Sequence, residues 1–376
     1  MTENAGLYLH LPYCRSRCGY CAFVVSTDDS SRGEYLEALE REAALLAPEA
    51  AGAAFDSIYL GGGTPSLIRP RELTRLLDEL RRRFDVDADS EITLEANPDD
   101  VTPGLARAWK DSGVNRVSVG VQSFHDSELS AVGRRHDAAG ARRALDVLAQ
   151  AGVSLSADLI LGLPTQTAAS FRDSVSEVSR SGVAHLSIYL LETEKSRTIE
   201  EDRRDHPERY LSDEAQADAW REAGEILADR GFEHYEISNW ALPESAARHN
   251  VKYWTRAPTL GLGVSAHELW GERRRANVSG LPAYLASLRE ARRPTALDEE
   301  VTPEAAARER IFLGLRLSAG VPAEDLEAWI ENAGEPLLSD DYAAWLETGL
   351  LERSDGRVRF TANGFLLSNE ILCRFV

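Results

Sequence analysis

Short apolar runs alternate with longer amphipathic stretches over roughly the first 200 residues of the chain. The runs are rich in aliphatic and β-branched residues, as strands are, while the stretches between them repeat apolar residues at helical spacing. Strands of this kind joined by helices pair in parallel. The predicted strands are 7–11, 57–61, 91–96, 116–121, 154–161 and 185–191, and the clearest predicted helices are 33–46, 71–84 and 137–152.

Six strand–helix units predict an α/β fold, with a partial TIM-like (β/α)6 barrel favoured over a doubly wound open sheet. In a barrel of this type the chemistry lies where the strands end and the following loops begin. Two unusual loops occur at such places. A cysteine-rich loop follows the first predicted strand, and GGGTP (61–65) follows the second.

The pattern changes after about residue 200. A helix is expected over 212–230 and a strand over 232–238, and from about 296 the pattern is mostly helical. A hairpin turning at Asp355–Gly356 and a last helix close the chain. We therefore predict three domains: a barrel of residues 1–200, an extension of residues 201–295, and a helical, winged-helix-like domain of residues 296–376.

Charge and composition narrow the classes of partner. The formal net charge is −20, which disfavours nucleic acid because its phosphates would be repelled. No apolar run approaches the length of a membrane span, and the first residues lack the basic and apolar regions of a secretory signal. We expect a cytoplasmic protein with no integral membrane segment, in which thiols stay reduced.

Three of the four cysteines, Cys14, Cys18 and Cys21, are spaced CxxxCxxC. This clustering predicts a metal site rather than a disulfide. Three thiolates are one fewer than a 4Fe–4S cluster usually takes, so one iron would stay open to a ligand. Zinc held by the three thiolates and His10 is the alternative. The fourth cysteine, Cys373, is expected to be buried.

Polar residues at the ends of later predicted strands add to a candidate ligand site. Glu95 ends ITLE, Gln122 follows SVGV, and Asp158 lies within the apolar run SLSADLIL. A carboxylate among aliphatic residues is costly unless it is paired or hydrogen-bonded. The glycines of GGGTP allow the backbone to approach a ligand closely. Each residue alone has an ordinary structural interpretation, but their joint placement favours a ligand site.

The cysteine motif and a series of longer motifs resemble the radical SAM superfamily, in its coproporphyrinogen oxidase-like branch. The longer motifs are YLGGGTPS, LEANPDD, NRVSVGVQSF, DLILGLP, YEISNWA and RHNVKYW. The resemblance implies that Cys14, Cys18 and Cys21 hold a 4Fe–4S cluster whose open iron binds S-adenosylmethionine. It further implies that S-adenosylmethionine contacts Gly63, Thr64, Glu95, Gln122, Arg134 and Asp158, with Arg135 as the alternative to Arg134.

Two interpretations compete within this branch. The oxygen-independent coproporphyrinogen III oxidases carry a fourth cysteine where this chain has Phe23, and they have a long extension before the first strand. The chain more closely resembles the HemW group of haem chaperones, which implies haem as the carried ligand and haem-accepting proteins as partners. A zinc-stabilised scaffold without enzymatic activity is a third hypothesis. Whether the chain is an enzyme stays open at this point, as does the choice between monomer and dimer.

The HNVKYW motif (249–254) is typical of the haem-chaperone group. His249 is a candidate haem ligand, with Tyr253 and Trp254 as aromatic residues that could flank the porphyrin. His267 is a second candidate. The alternative for His249 is a core histidine packed among aromatic residues.

Overall fold

The computed structural model of the protein describes residues 4–333 and 336–375. Six strands alternate with helices in the first half of the chain, and each predicted strand matches an observed one. The strands are β1 (Ala5–Leu11), β2 (Ala54–Gly62), β3 (Asp85–Ala96), β4 (Arg116–Gln122), β5 (Ser154–Leu161) and β6 (His185–Leu190). The helices between them are α1 (Arg32–Leu46), α2 (Pro70–Arg83), α3 (Pro103–Asp111), α4 (Asp126–Ala131), α5 (Ala138–Ala151) and α6 (Ala168–Val178).

The next part of the chain adds five helices and six short strands. The helices are α7 (Arg197–Asp205), α8 (Asp213–Ala228), α9 (Arg248–Thr255), α10 (Leu281–Arg289) and α11 (Pro303–Gly314). The strands are β7 (Glu233–Glu236), β8 (Asn239–Ala241), β9 (Thr259–Leu262), β10 (His267–Trp270), β11 (Arg273–Asn277) and β12 (Thr295–Glu300). The predicted strand 232–238 is therefore too long, because the chain turns after β7 and returns antiparallel as β8.

One sheet of twelve strands, in the order β12-β11-β10-β9-β1-β2-β3-β4-β5-β6-β8-β7, contains all of these strands. Strands β1 to β6 are parallel neighbours in chain order. At one side β1 pairs with β9, and at the other β6 pairs with β8. The six-unit barrel is thus open rather than closed on itself, which confirms the predicted partial barrel.

The C-terminal part combines helices with a small sheet. It contains α12 (Ala323–Ala333), α13 (Pro336–Glu347), α14 (Ala362–Leu366) and α15 (Ser368–Leu372), with β13 (Val321–Pro322), β14 (Leu351–Ser354) and β15 (Arg357–Phe360). The predicted hairpin forms between β14 and β15, with positive φ at Asp355 and Gly356. The last predicted helix is broken between α14 and α15. The boundaries of the three predicted domains stay predictions. Every helix in the described part of the chain is too short or too polar to span a bilayer.

The two faces of the parallel strands differ in polarity. Leu7, Leu9 and Leu60 alternate with residues of the opposite face and belong to the buried apolar core that also contains the surrounding helices. The opposite face is polar and aromatic, and its members are buried or half-buried: they include Tyr8, His10, Tyr59, Glu95, Arg116, Ser118, Asp158 and His185. Since successive side chains point to opposite faces of a strand, this alternation makes the barrel interior polar.

Helix α9, which carries the HNVKYW motif, lies where the strands begin. The backbone N–H groups of Arg248 and His249 donate to the two carboxylate oxygens of Glu91 in β3, at 3.0 and 3.1 Å. A carboxylate at a helix N-terminus stabilises the helix. Lys252 reaches the carbonyl of Asn4, just before β1, at 2.6 Å. The motif therefore lies at the end of the barrel opposite to the cysteine loop.

Candidate functional site

The cysteine loop leaves β1 and folds back on itself before α1. The Cys14 N–H donates to the carbonyl of Ser26 at 2.9 Å, and the Ser26 N–H donates to the carbonyl of Pro12 at 2.7 Å. His10 is buried in β1, and its Nε2 lies 2.9 Å from the carbonyl of Val24 in the same loop. His10 therefore positions the loop, as expected if its role is local structure.

The three clustered cysteines are free and half-buried, whereas Cys373 is free and exposed. The expectation that Cys373 is buried is wrong, because the short helices at the chain end leave its side chain facing outward. Two donors point at the clustered sulfurs: Thr64 Oγ1 lies 3.2 Å from Cys14 Sγ, and Arg134 Nη1 lies 3.6 Å from Cys18 Sγ. Donors of this kind stabilise thiolates.

The glycine loop packs tightly against the cysteine loop. The Gly63 N–H donates to the carbonyl of Leu11 at 2.8 Å, and the Thr64 N–H donates to that of Tyr13 at 2.9 Å. A Cβ atom at Gly63 would lie 2.7 Å from the carbonyl carbon of Pro12. This approach is too close for any side chain, so glycine is required for the two loops to meet.

Glu95 is fixed by two donors at the end of β3. The Tyr59 hydroxyl donates to its Oε1 at 2.8 Å, and the Gly62 N–H donates to its Oε2 at 3.0 Å. Burial raises the pKa of Glu95 to about 7, an effect that the hydrogen bond from Tyr59 partly opposes and the nearby Asp158 increases. The carboxyl group is thus poised to ionise when a cationic ligand group approaches.

Arg134, rather than Arg135, faces the cysteines. Its Nη2 donates to Asn97 Oδ1 at 2.8 Å and also to the carbonyl of Gly120. Arg135 instead forms an ion pair with Asp99 at 3.1 Å, with about half of its side chain exposed. The choice of Arg134 therefore fits the geometry of the cavity.

Gln122 and Asp158 complete the polar wall. Gln122 adopts a positive φ of 66° at the end of β4, and its buried Oε1 has no hydrogen-bond partner among the described residues. Ser118 donates to the carboxylate of Asp158 at 3.3 Å, and burial raises the pKa of Asp158. The strained backbone and the unpaired amide oxygen indicate that Gln122 is built to meet a ligand.

One cavity of about 800 Å³ is lined by all nine residues predicted for the cluster and S-adenosylmethionine. Its volume lies in the range of small-molecule sites. Sequence reasoning missed several of its other residues, among them Asn97, Lys195, Tyr189 and Arg316. Tyr189 was detectable from the alternation along β6. Arg316 carried no local signal, because it reaches the cavity from the loop after α11.

The residues fit a cluster. The three thiols share the cavity, yet within the described ranges no group of three or more His, Cys, Asp and Glu side chains is gathered as a single metal ion would need. His10, the fourth ligand considered for zinc, is engaged by the carbonyl of Val24, so the three thiols suit a 4Fe–4S cluster with one open iron better than a four-ligand zinc site. Burial raises the pKa values of Cys14 and Cys21, so a bound cationic centre is what would hold them as thiolates.

His249 lies outside the cavity. Its ring is fully buried, with Nδ1 3.0 Å from Ser57 Oγ and Nε2 2.9 Å from the Tyr253 hydroxyl. The ring also stacks on Tyr59, with centroids 5.3 Å apart. Burial lowers the pKa of His249 to about 3, so the ring is neutral. The second candidate, His267, is exposed at the start of β10 and does not line the cavity.

Comparison with known proteins adds to this geometry. Residues 8–178 match the Radical SAM superfamily, and residues 301–367 match the HemN C-terminal domain. The heme chaperone HemW of Lactococcus lactis subsp. lactis is 31% identical over 98% of this chain and 96% of its own length. That of Synechocystis sp. is 35% identical over 84% of this chain and 78% of its own. Coproporphyrinogen III oxidase (HemN) from Escherichia coli, a radical SAM enzyme, superimposes with a TM-score of 0.83 at 25% identity, covering 100% of this chain and 90% of its own.

Proposed function

The chain belongs to the HemW family of the radical SAM superfamily, and on that premise we propose that it binds haem and delivers it to haem-accepting proteins. The observation that carries the proposal is the similarity to curated heme chaperones over nearly the whole of both chains. The fold does not select this function, because the oxidase from Escherichia coli has the same fold and one fold supports several functions.

We assign the cluster to Cys14, Cys18 and Cys21, and the S-adenosylmethionine contacts to Gly63, Thr64, Glu95, Gln122, Arg134 and Asp158. When bound, the cluster supplies an iron with an open coordination position for the amino and carboxylate groups of S-adenosylmethionine. The chain's own contribution is to orient the ligand. Thr64 and Arg134 donate to the cysteine sulfurs. Glu95 offers a carboxylate to the cationic group of the ligand, and the unpaired side-chain oxygen of Gln122 accepts a hydrogen bond from the ligand.

The mouth of the cavity offers an apolar surface for the porphyrin. Of the five large hydrophobic side chains that the described residues leave exposed, Phe23, Tyr189 and Leu190 line this cavity. Exposed apolar side chains grouped in this way mark binding sites in soluble proteins. Phe23 is 65% exposed, and it stands where the oxidases have their fourth cysteine. The absence of a thiol at this place disfavours the oxidase reaction, and the apolar ring offers surface to a porphyrin.

The haem-ligand role of His249 stays a prediction. Both of its ring nitrogens are hydrogen-bonded in a fully buried site, so iron ligation would require α9 to move. The geometry supports a different role. His249 and Tyr253 fill the lower end of the barrel, where the strands begin, beneath Tyr59, and so they support Glu95. A cytoplasmic location and a monomeric or dimeric state also stay predictions.

Anaerobic reconstitution followed by two assays tests the proposed function. The reconstituted protein should contain iron and acid-labile sulfide, and titration with haem should saturate with a new Soret spectrum. In parallel, coproporphyrinogen III with S-adenosylmethionine and reductant should stay unconverted. Decarboxylated product would favour the oxidase, and zinc near one equivalent without sulfide would favour the scaffold.

A further inference from the structure

Four cationic side chains line the cavity, and they differ in how well they are paired. Arg134 donates to Asn97 and Gly120. Lys195 Nζ forms an ion pair with Glu192 Oε2 at 2.7 Å, and the Arg17 side chain donates to the carbonyl of Cys21 at 3.2 Å. The fourth is Arg316, whose side chain donates no hydrogen bond to any described residue, and whose Nε is buried without a partner.

Arg316 is held in place by an aromatic face instead. Its guanidinium carbon lies 4.1 Å from the ring centroid of Trp254, the last residue of HNVKYW. A cation over an indole face is stabilised by the ring electrons. The stacking engages only the face of the guanidinium, so its N–H donors stay available for a bidentate partner.

The nearest anion neutralises Arg316 only in part. Glu236 Oε2 lies 4.0 Å from Arg316 Nη2, beyond hydrogen-bond distance, with 23% of the Arg316 side chain exposed. Glu236 Oε2 itself has no hydrogen-bond partner among the described residues. Burial raises the pKa of Glu236 and lowers that of Arg316, as expected for two charges that compensate each other incompletely. A half-buried guanidinium in this state favours an added carboxylate.

We propose that Arg316, carried on Trp254, binds a carboxylate of the haem ligand in the cavity. The inference rests on the proposed function and specifies where its ligand is anchored. An arginine pairs with a carboxylate through two parallel hydrogen bonds, which fixes orientation as well as affinity. The aromatic side chains of Trp220 and Phe365 line the same cavity as Arg316.

This assignment gives HNVKYW a part in haem binding that does not need His249 as an iron ligand. The motif lies on one short helix, α9. Its histidine faces the lower end of the barrel and its tryptophan supports the arginine of the cavity wall. Trp254 is thus a positioning residue, which acts through Arg316.

The test compares haem with its dimethyl ester, in which both carboxylates are blocked, by anaerobic titration followed in the Soret band. The wild type should bind haem about tenfold or more tightly than the ester, because a charge-assisted hydrogen-bonded pair is lost with the ester. Arg316→Met should remove this preference, and Arg316→Lys should keep only part of it. Lys195→Met removes a cation from the same cavity and should leave the preference unchanged.

The outcomes separate the inference from the function on which it rests. Absence of haem binding by the wild type overturns the proposed function. Haem binding without preference over the ester, or a preference that survives in Arg316→Met, overturns the anchor while leaving the function in place. Because Arg316→Met leaves Glu236 buried beside no cation, the double variant Arg316→Met/Glu236→Gln is measured as well. It should also lack the preference, and a retained preference in it contradicts the anchor.

Discussion

Replacing His249 by alanine distinguishes a haem ligand from a structural support. If the ring fills the lower end of the barrel, its loss destabilises the protein even when no haem is present. If the ring is a surface ligand, its loss leaves the unliganded protein unchanged. The stability of the haem-free protein therefore distinguishes the two roles most clearly.

The magnitude follows from the contacts of the ring. His249→Ala leaves the hydroxyls of Ser57 and Tyr253 without their imidazole partner, and an unsatisfied buried group costs about 1–3 kcal/mol. The substitution also opens a cavity beneath Tyr59; truncation of a buried Phe or Trp to alanine typically costs about 3–5 kcal/mol, which is an upper range for the smaller imidazole. We expect the free energy of unfolding to fall by roughly 3–5 kcal/mol in total, since neighbouring effects are not additive.

Chemical denaturation of the haem-free protein, followed by circular dichroism, measures this change. His267→Ala is the matched control, because that ring is exposed and its removal should change the free energy of unfolding by less than about 0.5 kcal/mol. Wild-type stability in His249→Ala, together with an altered haem spectrum, would refute the structural role and support iron ligation. An altered spectrum in His267→Ala alone would place the ligand at β10.

Three further predictions concern the cluster, its ligand and pH. Cys18→Ala should abolish the iron–sulfur absorbance after reconstitution, whereas Cys373→Ala should retain it; full absorbance in the first variant would contradict the cluster assignment. In calorimetry, Glu95→Gln should bind S-adenosylmethionine about tenfold or more weakly than the wild type. The affinity of the wild type should fall below pH 7, because the pKa of Glu95 is about 7 and a protonated carboxyl attracts a cation less. Equal wild-type affinities from pH 6 to 8 would exclude this contact. Burial raises the pKa of Glu42 to about 7. The stability of the wild type relative to Glu42→Gln should therefore be greatest below about pH 4.5 and fall by up to ~3 kcal/mol as pH rises through 7. A difference in denaturation midpoint that does not change with pH would contradict the raised pKa.

The barrel and its cluster site were predictable because their signals are local. Each strand contributes an apolar run of a few residues, and each loop of the site follows directly after a strand. The alternation of Tyr8 and His10 with leucines, or of Ser118 with valines, even identifies the interior face, because the period of two fixes which side chains share a face.

The parts that sequence reasoning missed depend on contacts between distant segments. Nothing near His249 shows that α9 packs under β1 and β2, so an imidazole beside two aromatic residues fits a haem ligand and a core residue equally well. The guanidinium carbon of Arg316 lies 4.1 Å from the ring centroid of Trp254, yet Trp254 belongs to α9 and Arg316 follows α11. Cys373 was expected inside because cysteine is commonly buried, and the broken last helix instead leaves it exposed.

Transfer of haem to an acceptor protein, and its dependence on the cluster, is the decisive measurement for a cluster-containing haem chaperone. Haem-loaded protein, with its cluster reconstituted under anaerobic conditions, is mixed with a haem-free acceptor protein, and the acceptor's Soret band is followed over time. We expect rapid transfer from the wild type and much slower transfer from the haem-loaded Cys18→Ala variant, which should still bind haem. Equal rates from the two proteins, or failure of the wild type to bind haem, would contradict a cluster-containing haem chaperone.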